Sequence, residues 1–314
     1  MNKIFLGEET KLKPCVATVG FFDGVHKGHQ FLIKNIIDEA KRNNIESTII
    51  TFDKHPREVL HSDYQPNMLS TYDEKLVMLS LTGIDNCVTI PFDLEMANLS
   101  ARDFMGEILR DRLNVKTFII GYDNRFGHYN DNEGFDDYVN YGKELCINVI
   151  KAQPYIMHGV SVSSSVIRTF VSEGEVEMAA QCLGRPYNIF GRVTSGFGEG
   201  HKLGFPTANI DTMGISKIIP AGGVYAVKIR IEGSIEMKHA MMNIGTRPTF
   251  NGDKTTLEVN IFNFDEDIYG KKVSVSFFHR LRSEKKFNNI DELVKQLKED
   301  EISVKEQFKK DIEG

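Results

Sequence analysis

The chain reads as two folds in tandem, an open α/β layer domain and then a closed antiparallel β-barrel with a helix after it. Three observations predict this. Up to residue 183, short β-branched runs alternate with stretches whose apolar residues recur at helical spacing, the rhythm of a doubly wound sheet. At Gly184-Arg-Pro186 a helix stop meets a proline, the expected domain boundary. Beyond it, period-two segments separated by Gly, Asn and Asp turns take over, as in a closed barrel. The expected domains are therefore 1–184, Rossmann-like, and 185–314, a barrel with a C-terminal helix.

Composition sets the frame. A length of 314 residues suffices for two ordinary domains, and 41% apolar with 26% charged residues are globular values. A formal charge of −6 argues against a general nucleic-acid binder. No apolar run reaches the length of a membrane helix, and Met1–Glu9 holds too short a run for a signal peptide. Cys15, Cys87, Cys146 and Cys182 are isolated singletons, so neither a disulfide framework nor a metal pair is suggested. The expectation is a cytoplasmic protein with small-molecule partners, without nucleic acid or membrane.

In the first domain, Val16–Val19 is a buried strand that breaks at Gly20 and Gly24 and runs through His26 and His29 into a helix. Leu32, Ile33, Ile36, Ile37 and Ala40 mark that helix's packed face. A strand, a glycine turn and a helix N-terminus together make an anion site. Gly28 is expected to let a phosphate approach the backbone, with the two histidines supplying donors. A zinc half-site or two solvated histidines are the plainer alternatives, and the scattered cysteines speak against zinc. Ser47–Phe52 is the next strand; past its end, Asp53 and His55 either line a ligand crevice or form a turn that Asp53 caps.

Helical patterns over Tyr72–Leu81 and Ala101–Leu113 alternate with strands over Asn86–Pro91 and Thr117–Ile120. The last of these opens into Tyr122–Gly127, which is either a plain surface loop or a site where Arg125 pairs with a phosphate, Asp123 orients it or the sugar, and Tyr122 and Phe126 offer faces to a planar ring. Val149–Lys151 follows, then Ser163, Ser164, Ser165 and Arg168 at a helix start, where the hydroxyls either cap the helix or bind a triphosphate. A helix over Val176–Leu183 closes the domain.

The barrel strands are read over Ile189–Thr194, Val224–Ile231, Leu257–Phe264 and Val273–Phe278, and a final helix carries Ile290, Leu293, Val294 and Leu297 on one face. The glycine-rich run from Gly196 to Asn209 can wrap phosphates while Thr207 and Asn209 offer oxygens to Mg²⁺. Spacing alone makes Glu258 solvent-facing, because Leu257, Val259 and Ile261 share the opposite face.

The run Gly20-Phe-Phe-Asp-Gly24 followed by His26, Gly28 and His29 resembles the signature of the nucleotidyltransferase superfamily, most closely its flavin-adenylating branch. Ser163 to Arg168 falls on that branch's Ser-Ser-Thr motif ending in Arg. It departs at Ser165, where Thr is usual, and at Val166, where a second Arg is usual, which removes one cation. The run ending at Asn209 resembles the ATP loop of riboflavin kinases, as do Gly223–Ala226, Asn243–Thr249, Leu257–Phe264 and Leu281–Phe287. Over essentially its full length the chain resembles the bifunctional bacterial riboflavin kinase/FMN adenylyltransferases, also called FAD synthetases.

That resemblance implies ATP-dependent phosphorylation of riboflavin to FMN in the barrel. In the first domain it implies adenylylation of FMN to FAD with release of pyrophosphate. At the adenylyl site it implies ATP contacts from Gly20, Phe21, Asp23, Gly28, Ser164 and Ser165, catalysis by His26, His29 and Arg168, and flavin contacts from Asp53, Asp123 and Arg125. In the kinase it implies an ATP loop with Gly198, Gly200, Lys202, Gly204 and Pro206, Mg²⁺ on Thr207 and Asn209, Glu258 as base, and flavin contacts from Arg282 and Phe287. Two alternatives stay open: a chain that keeps one of the two activities, and a flavin-binding regulator without turnover.

Overall fold

Four short runs, Cys15–Val19 (β2), Glu46–Phe52 (β3), Asn86–Ile90 (β4) and Val115–Ile120 (β5), are buried along nearly their whole length. A strand is covered on both faces only when layers pack on each side of its sheet. In the computed structural model, which describes the chain except for residues 8–9, 61–66, 123–125, 128–132, 196–199, 201–202, 250–251 and 314, they form that sheet. With Asn2–Phe5 (β1) and Asn148–Lys151 (β6) the order is β1-β4-β3-β2-β5-β6, parallel throughout. β1 was not expected as a strand: it is an edge strand with mostly exposed side chains and lacks a hydrophobic pattern.

Successive side chains feed opposite cores. Val16, Ile49, Cys87 and Ile119 pack with Ile33 and Ile36 of Lys27–Asn43 (α1) and with Leu76 and Leu79. The last two belong to Tyr72–Ser80 (α3), which follows the short Pro56–Leu60 (α2). On the other face Ala17, Ile50, Val88 and Phe118 meet Phe104, Leu109 and Tyr138. These come from the segments after Leu94–Asn98 (α4): Ala101–Asp103 (α5) with its continuation Phe104–Arg112, and Phe135–Leu145 (α6). The expected helix over Ala101–Leu113 is present, but Phe104–Arg112 is wound as a π-helix, which apolar periodicity does not announce. From β2 the chain moves to β3 on one side, while β5 lies on the other. Such a reversal opens a ligand crevice at the strands' C-terminal ends.

Contacts divide the chain between Ser164 and Ser165, earlier than the boundary expected at Gly184. Met1–Ser164 closes with the small Ile156–Met157 (β7) and Val160–Ser161 (β8) hairpin. The second unit takes in almost all of Ser164–Glu173 (α7) and the whole of Val176–Leu183 (α8), because α8 packs on two barrel strands. The barrel itself is closed, in the order β10-β13-β12-β11-β14-β9. Its strands are Tyr187–Thr194 (β9), Ala208–Ile210 (β10), Gly223–Ile231 (β11), Met237–Thr249 (β12), Gly252–Ile261 (β13) and Lys272–Arg282 (β14).

β13 begins and ends earlier than the expected Leu257–Phe264, and β10 and β12 were read as motif rather than strand. β11 is buried on both faces. Tyr225 meets Phe277 edge to face at 5.4 Å, while Val224 and Ala226 pack beneath Val304 and Phe308 of Ile290–Glu313 (α9). All four cysteines are free, with Cys15, Cys87 and Cys182 buried and Cys146 exposed. Among the described residues no helix is long and apolar enough to cross a membrane.

Candidate active sites

Past β2 the backbone leaves the sheet through a contorted turn. Phe22, Gly24 and Val25 have φ of 57°, 76° and 39°, a conformation that persists only where the surroundings over-determine it. Asp23 does this from within: its carboxylate, 2% exposed, accepts the Leu69 and Ser70 amides at 3.0 Å and the Ser70 hydroxyl at 3.2 Å. The carboxylate expected to reach ATP thus anchors the turn, satisfying a charge that burial would otherwise penalise.

His26 then caps α1, its Nδ1 accepting the His29 amide at 3.2 Å. A neutral imidazole that accepts at Nδ1 carries its proton on Nε2, so this bond selects the Nε2–H tautomer. The His29 ring stacks on it, 3.6 Å between centroids, and meets the Phe22 edge at 5.0 Å. Gly28 is also pressed by the protein's own backbone. A Cβ there would stand 2.8 Å from the Val162 carbonyl, so the protein's own backbone requires it. Ser164, the last residue of the first unit, donates to the Asp23 carbonyl at 3.0 Å. Ser165 and Arg168 fall in the second unit.

Around the other strand ends the assignments divide. Asp53 accepts the Lys54 amide at 2.7 Å and the Phe92 amide at 2.9 Å, so of its two readings the turn anchor is the one displayed. His55 meets the Phe21 ring edge-on at 4.8 Å. Tyr122 is 41% exposed and accepts from the Ser161 hydroxyl at 2.9 Å, leaving its face available. Phe126, expected to offer a second face, is instead buried among Phe104, Phe118 and Tyr138. Asp123 and Arg125 lie outside the described residues.

On the barrel, strand alternation does what spacing predicted, and the half-buried Glu258 faces a cavity instead of an open surface. Leu257, Val259 and Ile261 fill the interior. Glu258 and Asn260 point outward into a cavity of about 300 Å³, which Gly200, Thr207, Asn243, Arg282, Phe287, Leu293 and Leu297 also line. Its wall is fixed by Asn260 donating to the Pro206 carbonyl at 2.7 Å. A second cavity of about 400 Å³, apolar with an acidic rim at Asp265, Glu266 and Asp267, includes Pro206 and Thr207, so Thr207 borders both. Gly204 turns the intervening loop at φ 80°. Asn209 lies on β10 with its Cα opposite that of Glu258. Gly198 and Lys202 lie outside the described residues.

Arg282 is held from α9: its Nη2 meets Asp300 Oδ2 at 2.7 Å and its Nε meets Oδ1 at 3.0 Å, while Gln296 donates to Oδ1 at 3.0 Å. Its guanidinium stands 5.9 Å from the Phe287 ring centroid. Sequence reasoning missed Asp300, Gln296, Asn243 and Asn260. Alternation along β13 does put Asn260 beside Glu258, but nothing local links residue 300 to residue 282. It also missed Lys75, whose burial shows only as a lysine amid the apolar positions of α3.

Comparison with known proteins matches the two units separately. Residues 8–166 fit the family model described as FAD synthetase, and residues 183–308 the one described as riboflavin kinase. The bifunctional riboflavin kinase/FMN adenylyltransferase of Escherichia coli (strain K12) is 34% identical over 294 residues, 94% of this chain and 93% of its own length. The Bacillus subtilis (strain 168) protein of the same description is 35% identical over 291 residues, 91% of this chain and 90% of its own. A crystal structure of a protein described as a macrolide-efflux protein from Streptococcus pneumoniae matches with a TM-score of 0.85 and 31% identity, covering 96% of this chain and 98% of that one. The chain belongs to the bifunctional riboflavin kinase/FMN adenylyltransferase family.

Proposed function

We propose that the chain is a bifunctional transferase of flavin cofactor synthesis: its barrel phosphorylates riboflavin with ATP to FMN, and its α/β unit adenylylates FMN with a second ATP to FAD. The observation that carries the reading is the pair of cavities that share Thr207 in their walls, one bearing a carboxylate, a cation and an aromatic ring, the other opening beside the Pro206 end of the glycine loop. The first suits a flavin and its ribityl chain, the second a nucleotide. In the transfer Glu258 accepts the proton of the terminal ribityl hydroxyl as that oxygen bonds to the γ-phosphorus and the bond to the ADP oxygen breaks. Arg282, oriented by Asp300, and Phe287 hold the flavin. Thr207 and Asn209, with the Glu258 carboxylate beside them, form a set of hard oxygen donors that suits Mg²⁺. When bound, that ion supplies charge neutralisation on the phosphates.

In the adenylyl step an FMN phosphate oxygen bonds to the α-phosphorus of ATP and pyrophosphate leaves, so no base is required. Catalysis is positioning and charge stabilisation. His26 with His29 stacked on it, the α1 N-terminus and Ser164 support the triphosphate; Arg168, at the end of the same sequence motif, is the cation assigned to it. Free cysteines and ATP as co-substrate suit the cytoplasm. Incubation with riboflavin, ATP and Mg²⁺, followed by chromatography, should show FMN first and FAD after it. Chelation with EDTA should stop both steps.

A further inference from the structure

Lys75 is 2% exposed, and its three ammonium donors are all spent inside the fold. They reach the Phe21 carbonyl at 3.1 Å, the Thr51 hydroxyl at 3.1 Å and the Phe52 carbonyl at 3.0 Å. The acceptors belong to two chain segments: the end of β3, and the turn after β2 that leads to Asp23 and His26. Thr51 reinforces the junction by donating to the same Phe21 carbonyl at 3.2 Å, and the ammonium lies 4.1 Å from the Phe21 ring centroid. Among the described residues no carboxylate pairs with it. An unpaired buried cation is costly, and an apolar side chain would fill the space at less cost.

We propose that Lys75 is a positioning residue for adenylyl transfer, holding the turn from Gly20 to Phe22 in the shape that receives the triphosphate and placing a fixed positive charge behind it. The role rests on the adenylyl reading of this unit. It is consistent with the groups around the amine. Burial pushes its pKa down to about 8, against the pull of Cys87 on β4 and of Asp23 and Asp53. Burial pushes the Cys87 thiol up to about 11, so it is neutral, and both carboxylates are already engaged with backbone amides. Lys75 is therefore a cation at neutral pH and loses that charge above pH 8, where a bound polyanion would favour regaining it.

The test compares wild type with Lys75→Met, reading FAD formation from FMN and ATP and, in the same preparation, FMN formation from riboflavin. The variant should raise KM for ATP in FAD formation by about tenfold or more while kcat falls less and FMN formation is unchanged. Wild type should show the same KM rising from about pH 8 upward, and the variant should lack that rise. FAD kinetics of the variant within about twofold of wild type overturn the role. Should Lys75→Met fail to fold, the wild-type profile decides: a KM for ATP flat between about pH 7 and about pH 9.5 overturns it. A wild-type chain that makes FMN and no FAD overturns the adenylyl reading itself and takes the Lys75 role with it, an outcome distinct from the other two.

Discussion

Glu258 shows how one side chain can satisfy a strand rule and a chemical role together. Alternation sends it away from the barrel interior, and α9 with the loop before it turns that outside face into a lined cavity. Glu258→Gln keeps the shape and removes the proton acceptor. FMN formation should drop by roughly 10²- to 10⁴-fold while FAD formation from supplied FMN continues, measured by chromatography of the two products. The histidine turn teaches the complementary lesson: residues singled out for chemistry also hold the fold together. Asp23 and Asp53 spend their carboxylates on backbone amides, and Gly28 makes room for Val162. Sequence order reveals that a residue sits in a turn, but not which distant amide closes over it.

At the scale of elements, the buried strands and amphipathic helices were legible because period and burial coincide there. The departures occur where no period exists: β1 is an exposed edge, β10 is three residues long, and Phe104–Arg112 winds as a π-helix under a helical hydrophobic pattern. α9 was legible as an amphipathic helix, but its service to the cavity was not, since that depends on Asp300 meeting Arg282 across the fold. Asp300→Asn keeps the volume and removes the charge from a largely buried pair. We expect KM for riboflavin to rise and the barrel to lose about 2 kcal/mol in urea unfolding. The kinetics of FAD formation from FMN should stay at wild-type values.

For the whole molecule, the place where the chain is cut matters. The family models stop at residue 166 and resume at residue 183, leaving most of α7 and α8 to neither, while contacts give both helices to the barrel unit. Arg280 accounts for this: its amide donates to Glu177 at 3.1 Å and its guanidinium to the Glu173 carbonyl at 2.9 Å. Val176, Ala179, Cys182 and Leu183 are buried as well. A fragment 165–314 should therefore unfold at clearly higher urea than 185–314, the difference amounting to roughly 3 kcal/mol or more. Equal midpoints by circular dichroism would show the two helices to be dispensable.

The cysteines give the molecule a built-in gauge of its own folded state. Cys146 ends α6 at φ 58° on the surface, while burial raises the Cys15 and Cys87 thiols to about 11 and Cys182 sits on the buried face of α8. Thiolates, not thiols, react with maleimides. A brief maleimide exposure should add a single label to the native protein and four in guanidinium, counted by intact mass. One dye placed at Cys146 would then travel with the α/β unit alone, a ready fluorescence reporter on the side of the molecule that makes FAD.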